Sequence, residues 1–497
     1  MAEDTFFIGK SGKEEVLYLP MANRHGLITG ATGTGKTVSL QILAEGFSSR
    51  GVPVFAADVK GDLSGIALKG EPKDFLLERA RKIGWNDYGF ESFPVIFWDL
   101  FAKQGHPVRT TMTEMGPVLL SRLMGLSEAQ EGALNIAFKL ADEEGLAILD
   151  LKDLRALLSN LAERGKDIRT DYGNVAAATV GTIQRRLVVL EEQGAEGFFG
   201  EPALKIEDFM RTTRDGRGYI NILAADRLMS SPQLYATFLL WLLSELFEDL
   251  PEVGDAAKPK LVFFFDEAHL LFADAPPGLL QKIEQVVKLV RSKGVGVYFV
   301  TQNPIDIPNS VLAQLGNRIQ HALRAYTPRE QKAVETAAET FRPNPAFDTK
   351  KTITELGVGE ALVSVLDLKG VPTMVERTLI RPPMSRLGPV AEEERLKLLK
   401  ESPLYGLYDQ AVDRDSAYEL LANRAETAAE RRENSRTERK APPDAPRERP
   451  PSAPRATTRD TATERFVKNM AGSVGREVGN MIVRQVFRGI LGSLSRR

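Results

Sequence analysis

The stretch Gly30-Ala31-Thr32-Gly33-Thr34-Gly35-Lys36-Thr37 fits the pattern G-x-x-x-x-G-K-[ST]. A short apolar run, HGLITG, leads into it, and a helical pattern, KTVSLQILAEGFSSRG, follows. That is the strand-loop-helix context in which such a loop cradles phosphates. The glycines let backbone N–H groups face the α- and β-phosphates at a helix N-terminus. Lys36 is expected to reach the β- and γ-phosphates and Thr37 to ligate Mg²⁺. The nucleotide-binding set is then Gly30, Ala31, Thr32, Gly33, Thr34, Gly35, Lys36, Thr37 and Val38. A chance glycine-rich turn would not bring the lysine, the threonine and the flanking elements together.

A phosphate loop alone does not separate kinases, GTPases and ATPases. The stretch FFFDEAHLLF, Phe263 to Phe272, does more. An apolar run ends at Asp266, so its carboxylate is expected at a buried strand end beside Thr37, where a Mg²⁺ ligand belongs. Glu267 then faces the γ-phosphate side, positioned to orient and deprotonate an attacking water. Two adjacent acids after an apolar strand favour hydrolysis over transfer to a small molecule. No guanine-reading N-K-x-D motif is present, so ATP is the expected nucleotide, with Mg²⁺. Gln302 ends the run GVYFVTQ; its amide can touch the γ-phosphate or simply cap the strand. His269 reads as a helix-start residue that caps or bridges to a neighbour.

These residues need a scaffold that brings several strand ends to one edge. VPVFAAD, FPVIFWDL, GYINILAAD, KLVFFFDE and GVGVYFVTQ are apolar on both faces, as a parallel sheet covered by helices requires; NRIQHALRAY and EALVSVLD follow. The fold class is α/β. Its core is expected over 1–100 and 215–385, with a helical insertion over 101–214 and a helical extension over 386–430. Residues 431–463 include APPDAPRERPPSAPR, which has six prolines in fifteen positions and reads as a disordered linker. Residues 464–497 read as a basic amphipathic helix, with seven Arg/Lys against one acid from Arg465 onward, a docking or self-association element or a membrane- or nucleic-acid-facing one.

The bulk composition narrows the remaining classes. A chain of 497 residues has room for two or three domains, and its net charge of −2 gives no global pull toward nucleic acid or membrane. The absence of cysteine excludes disulfides and thiolate chemistry, and the four histidines, His25, His106, His269 and His321, are scattered. The N-terminus lacks a signal-peptide pattern, and the apolar stretch Leu234 to Phe247 is short for a membrane span, so a cytoplasmic protein is expected.

RHGLITGATGTGKT, FAADVKGDLSG, FFFDEAHLLF and RSKGVGVYFVTQNPIDIP, in this order, resemble the HerA/FtsK superfamily of hexameric P-loop ATPases. The likeness covers the α/β core and implies a RecA-like fold, a ring, and DNA translocation or remodelling. Family members carry an N-terminal β-barrel, whereas here about 25 residues precede the first core strand expected. The spelling Asp266-Glu267-Ala268-His269 also names the DEAH-box helicases, but their second tandem core and Ser-Ala-Thr motif are missing. The family further implies that an arginine just before the sensor strand reaches across the ring; Arg291 fits that position, with Arg324 in reserve. The alternative for Arg291 is that it only ends its helix favourably, as a cation facing the helix dipole. An ATP-driven switch acting on a protein or membrane partner through 464–497, without DNA, is the alternative, and a phosphotransferase a third.

Overall fold

The computed structural model describes residues 4–440 apart from 166–168, 174, 255 and 273–276. The disordered linker expected from 431 is not what residues 431–440 form, since they continue the helix Ala417–Lys440; residues 441–463 and the basic segment 464–497 lie outside the described residues. Contacts divide the chain into two units, Met1–Thr110 with Val189–Asp413, and Thr111–Val188 with the chain from Arg414.

The first unit is built on one twelve-stranded sheet. Its strands are β1 (Thr5–Lys10), β2 (Glu14–Tyr18), β3 (Gly26–Thr29), β4 (Val54–Asp58), β5 (Val95–Asp99), β6 (His106–Pro107), β7 (Ile220–Ala224), β8 (Leu261–Phe265), β9 (Val295–Thr301), β10 (Asn317–Gln320), β11 (Glu360–Ser364) and β12 (Glu376–Ile380). They lie in the order β2-β1-β12-β11-β10-β3-β9-β8-β4-β7-β5-β6. From β10 to β6 all neighbours run parallel. Every residue of β4, β7, β8 and β9 is buried, as expected for strands covered on both faces.

From β10 to β2 the pairing turns antiparallel, so the sheet is mixed and not parallel throughout. The hairpin β1–β2 also places two strands of this sheet ahead of β3, where the sequence gives no core strand. These outer strands are less uniformly buried than the central ones, and β2 and β12 carry exposed residues. Their apolar runs are correspondingly short and weak as a signal.

Helix α1 (Lys36–Ser49) follows β3 and packs its face of Leu40, Leu43 and Phe47 into the main core with Phe6, Phe264 and Tyr298. The Phe47 ring meets Phe6 edge-on at 5.0 Å and Tyr298 at 5.9 Å. The apolar stretch at 234–247 is a core helix, Pro232–Asp249, with Phe238, Leu239, Trp241 and Leu242 almost fully buried. Among the described residues no helix is long and apolar enough to cross a membrane.

The second unit is helical. Thr111 and Glu114 form a reciprocal cap for Met112–Leu123, and Asp150 caps Leu151–Glu163 by accepting from the Asp153 N–H. The helix Ala417–Lys440 packs on Leu151–Glu163, where Asp153 Oδ1 accepts from the Tyr418 N–H at 2.9 Å and Lys152 pairs with Glu419 at 3.1 Å.

Candidate nucleotide site

The loop Gly30–Gly35 leaves the C-terminal end of β3 and enters α1. Gly30, Gly33 and Gly35 have φ of 152°, 78° and 114°, a region side chains rarely adopt. At Gly30 space is also closed: a Cβ would stand 2.5 Å from the His321 Cβ. The loop is fixed from behind. Ala31 N–H donates to the Ala322 carbonyl at 2.8 Å, and Gly359 N–H donates to the Thr34 carbonyl at 3.0 Å. Lys36 Nζ donates to the Gly30 and Ala31 carbonyls at 2.7 and 3.2 Å. Burial lowers its pKa, while Glu267 and Asp266 pull the other way. Thr37 is the second residue of α1 and is half-buried.

Behind the loop, buried His321 links α1 to β11. Its Nδ1 donates to the Glu360 carbonyl at 3.0 Å, so Nε2 accepts from the Ser39 hydroxyl at 2.7 Å. Burial, with Lys36 adding, lowers its pKa to about 4, against a smaller upward pull from the Glu360 carbonyl.

The acids arrive from β8, separated from β3 by β9 alone. The next strand, β4, ends at Asp58 beside the end of β8. Burial and Glu267 push Asp266 up to about 6, and burial and Asp266 push Asp58 up to about 7. Glu267 is buried and its backbone is left-handed, φ 47°, anchored by Ala268 N–H donating to the Val300 carbonyl at 2.9 Å. Its carboxylate is held from three directions. Lys60 Nζ meets Oε1 at 2.6 Å, Gln302 Nε2 donates to Oε2 at 3.4 Å, and His269 Nδ1 lies 3.3 Å from Oε2. Burial raises the Glu267 pKa, but these partners, Lys60 foremost, more than offset it and hold the group below the usual carboxylate range.

The structure therefore brings Lys36, Asp266, Glu267 and Gln302 to one sheet edge, with His269 bridging to Glu267. Arg291 is placed elsewhere, exposed ahead of the N-terminal end of β9, while Arg324 is exposed beyond the C-terminal end of β10. Lys60 and Asp58 were not singled out from sequence. The signal for them was FAADVKGDLSG, whose strand pairs directly with β8. Among the described residues no three His, Asp or Glu side chains cluster as a metal cage. Mg²⁺ does not require one: it takes one or two carboxylates and completes its shell with phosphate and water. The Thr37 hydroxyl and the Asp266 carboxylate, which burial and then Glu267 hold above the usual carboxylate range, are donors of the right chemistry.

The family model described as "Helicase HerA-like C-terminal" matches residues 5–497. The chain belongs to the HerA-like helicase family. The DNA double-strand break repair helicase HerA of Sulfolobus acidocaldarius is 21% identical over 411 residues, 78% of this chain and 72% of that one. A probable helicase of Methanocaldococcus jannaschii is 32% identical over 126 residues, which is 24% of this chain and 22% of that relative. A structure of the bacterial conjugative coupling protein TrwBdeltaN70 superposes with a TM-score of 0.50 at 14% identity, over 76% of this chain and 91% of that one. The HerA-like chain is a P-loop nucleoside triphosphatase with a RecA-like α/β core.

Proposed function

We propose that this HerA-like protein hydrolyses ATP with Mg²⁺, works as a ring of subunits, and couples turnover to movement or remodelling of DNA. The observation that carries the hydrolytic reading is the placement of Glu267. It is a buried carboxylate in a left-handed backbone conformation, turned toward Gln302 and electrostatically coupled to Lys36. The loop amides and Lys36 hold the phosphates, and Glu267 orients a water and accepts its proton. Gln302, hydrogen-bonded to that carboxylate, senses the γ-phosphate beside it. Thr37 and Asp266 hold Mg²⁺, which when bound offsets phosphate charge. DNA as the polymer and the ring rest on the HerA family and the repair helicase of Sulfolobus.

Lys36→Ala is expected to weaken nucleotide binding and turnover together. Glu267→Gln keeps binding and loses turnover by about 10²-fold or more, the scale of a lost general base. Steady-state hydrolysis and equilibrium nucleotide binding on both variants decide it, and near-normal turnover by Glu267→Gln ends the assignment. Gel-shift titrations with duplex and single-stranded DNA at two salt concentrations test the polymer, since phosphate-driven binding weakens steeply with salt. No binding at either salt favours an ATP-driven switch that acts without DNA.

A further inference from the structure

Lys60 is not among the groups assigned a task above, yet it makes the shortest contact to the Glu267 carboxylate, at 2.6 Å. It lies two residues beyond Asp58, in the turn between β4 and the short 3-10 helix Asp62–Ala67. Gly61 follows with φ 77°, and a Cβ there would meet nothing within 4 Å, so the turn faces open space. Asp58 fixes the far side of the turn by accepting from the Leu63 N–H at 3.1 Å. The two ends of the ion pair differ in freedom. The Glu267 side chain is 5% exposed and held at its other oxygen by Gln302 and His269, whereas the Lys60 side chain is 41% exposed. Lys60 is therefore the partner that can move. It also lies within electrostatic reach of both Lys36 and Asp266, which places it beside the phosphate site.

A carboxylate tied to an ammonium is a weaker base toward a water, because its charge is already compensated, and the Lys60 contact at 2.6 Å does this to Glu267. Resting on the hydrolytic role of Glu267, we propose that Lys60 is a positioning residue that latches Glu267 and transfers its ammonium to the γ-phosphate when a nucleoside triphosphate binds. The exchange swaps one anionic partner for a more highly charged one, so it occurs with a triphosphate and not with a diphosphate. Glu267 is thereby released toward the water only when there is a γ-phosphate to attack. Binding energy from the triphosphate is spent in breaking the ion pair, and the two events are linked reciprocally.

That linkage sets the test, a binding cycle on the full chain with ADP and a non-hydrolysable ATP analogue as probes, read by calorimetry. Glu267→Gln leaves Lys60 free in advance, so the analogue binds about tenfold tighter than to wild type, while ADP is unchanged. Lys60→Met loses about tenfold of the preference for the analogue over ADP, and Lys60→Arg restores part of it. In the double variant the gain from Glu267→Gln disappears. A merely structural ion pair would give additive effects and the same analogue-to-ADP ratio in Lys60→Met as in wild type, and either result overturns the latch. Thermal melts check that each variant folds, and Lys60→Gln stands in if the methionine variant does not. If Glu267→Gln still hydrolyses ATP, the role of Glu267 as base fails, while the cycle still reports whether Lys60 changes partners.

Discussion

His321 shows how one side chain behind the phosphate loop ties stability to pH. Its neutral ring is required by the two bonds it makes, donating to Glu360 and accepting from Ser39. Burial keeps it neutral to about 4 in the fold, and burial does the same for His25. Unfolded, each titrates near the ordinary histidine value of about 6.5. Between these values the unfolded chain binds more protons, so stability rises with pH: the contribution is full above about 6.5 and is lost as pH falls toward 4. Each histidine is expected to withdraw roughly 3 kcal/mol over that window. Urea unfolding at pH 7 and pH 4.5 checks this, and His321→Gln should lose visibly less over the same interval. Equal losses in the two proteins would show that His321 is not held neutral.

At the scale of elements, α1 is pinned at both ends. Its first residue is Lys36; its last turns carry Glu45, fully buried and paired with Arg381 just after β12 at 2.9 Å. Arg381 also donates to the Phe7 and Ile42 carbonyls, and Glu45 accepts from the Ser385 hydroxyl at 2.6 Å. Removing one partner of such a pair strands a buried charge, so Arg381→Met is expected to cost about 3–5 kcal/mol. Denaturant midpoints measure it, and pairing it with Glu45→Gln should recover part of the loss. Nothing in the sequence flags this link, because Glu45 and Arg381 meet only once β12 joins the sheet beside β11. Eight strands are legible, β3, β4, β5, β7, β8, β9, β10 and β11; of these β4, β5, β7, β8 and β9 announce themselves by runs apolar on both faces. β1 and β2 form an edge hairpin, β12 alternates too briefly, and β6 has two residues. The site divides the same way. Lys36, Asp266 and Glu267 sit in local patterns, whereas Lys60 reaches Glu267 across 207 positions of chain, a proximity that only the pairing of β4 with β8 creates.

For the molecule as a whole, β9 separates two candidate site residues along its length. Gln302 follows its C-terminal end; Arg291 precedes its N-terminal end. Seven strand residues at about 3.3 Å each span roughly 23 Å, far beyond the reach of an arginine side chain. Arg291 therefore cannot complete the site of its own chain, and if it serves as the finger it does so in a neighbouring subunit. Arg291→Ala is then expected to lower turnover by about 10³-fold or more, and mixing it with Lys36→Ala should restore part of the activity. In a mixed ring some interfaces join an intact loop to an intact arginine. Full activity of Arg291→Ala alone, or no recovery in rings shown to be mixed, removes it from that role.

The left-handed backbone at Glu267 has a price in evolution and in engineering. A side chain in that region costs about 1–2 kcal/mol, and asparagine tolerates it better than glutamate. The exposed end of the Lys60 pair returns little of that cost. Directed selection of this protein for heat resistance alone would thus favour asparagine at the position proposed for the base, which asparagine would abolish. A library screened without an assay for turnover should accumulate well-folded, nucleotide-binding, inactive variants, and their enrichment at this position would be a sign that strain there is maintained by function.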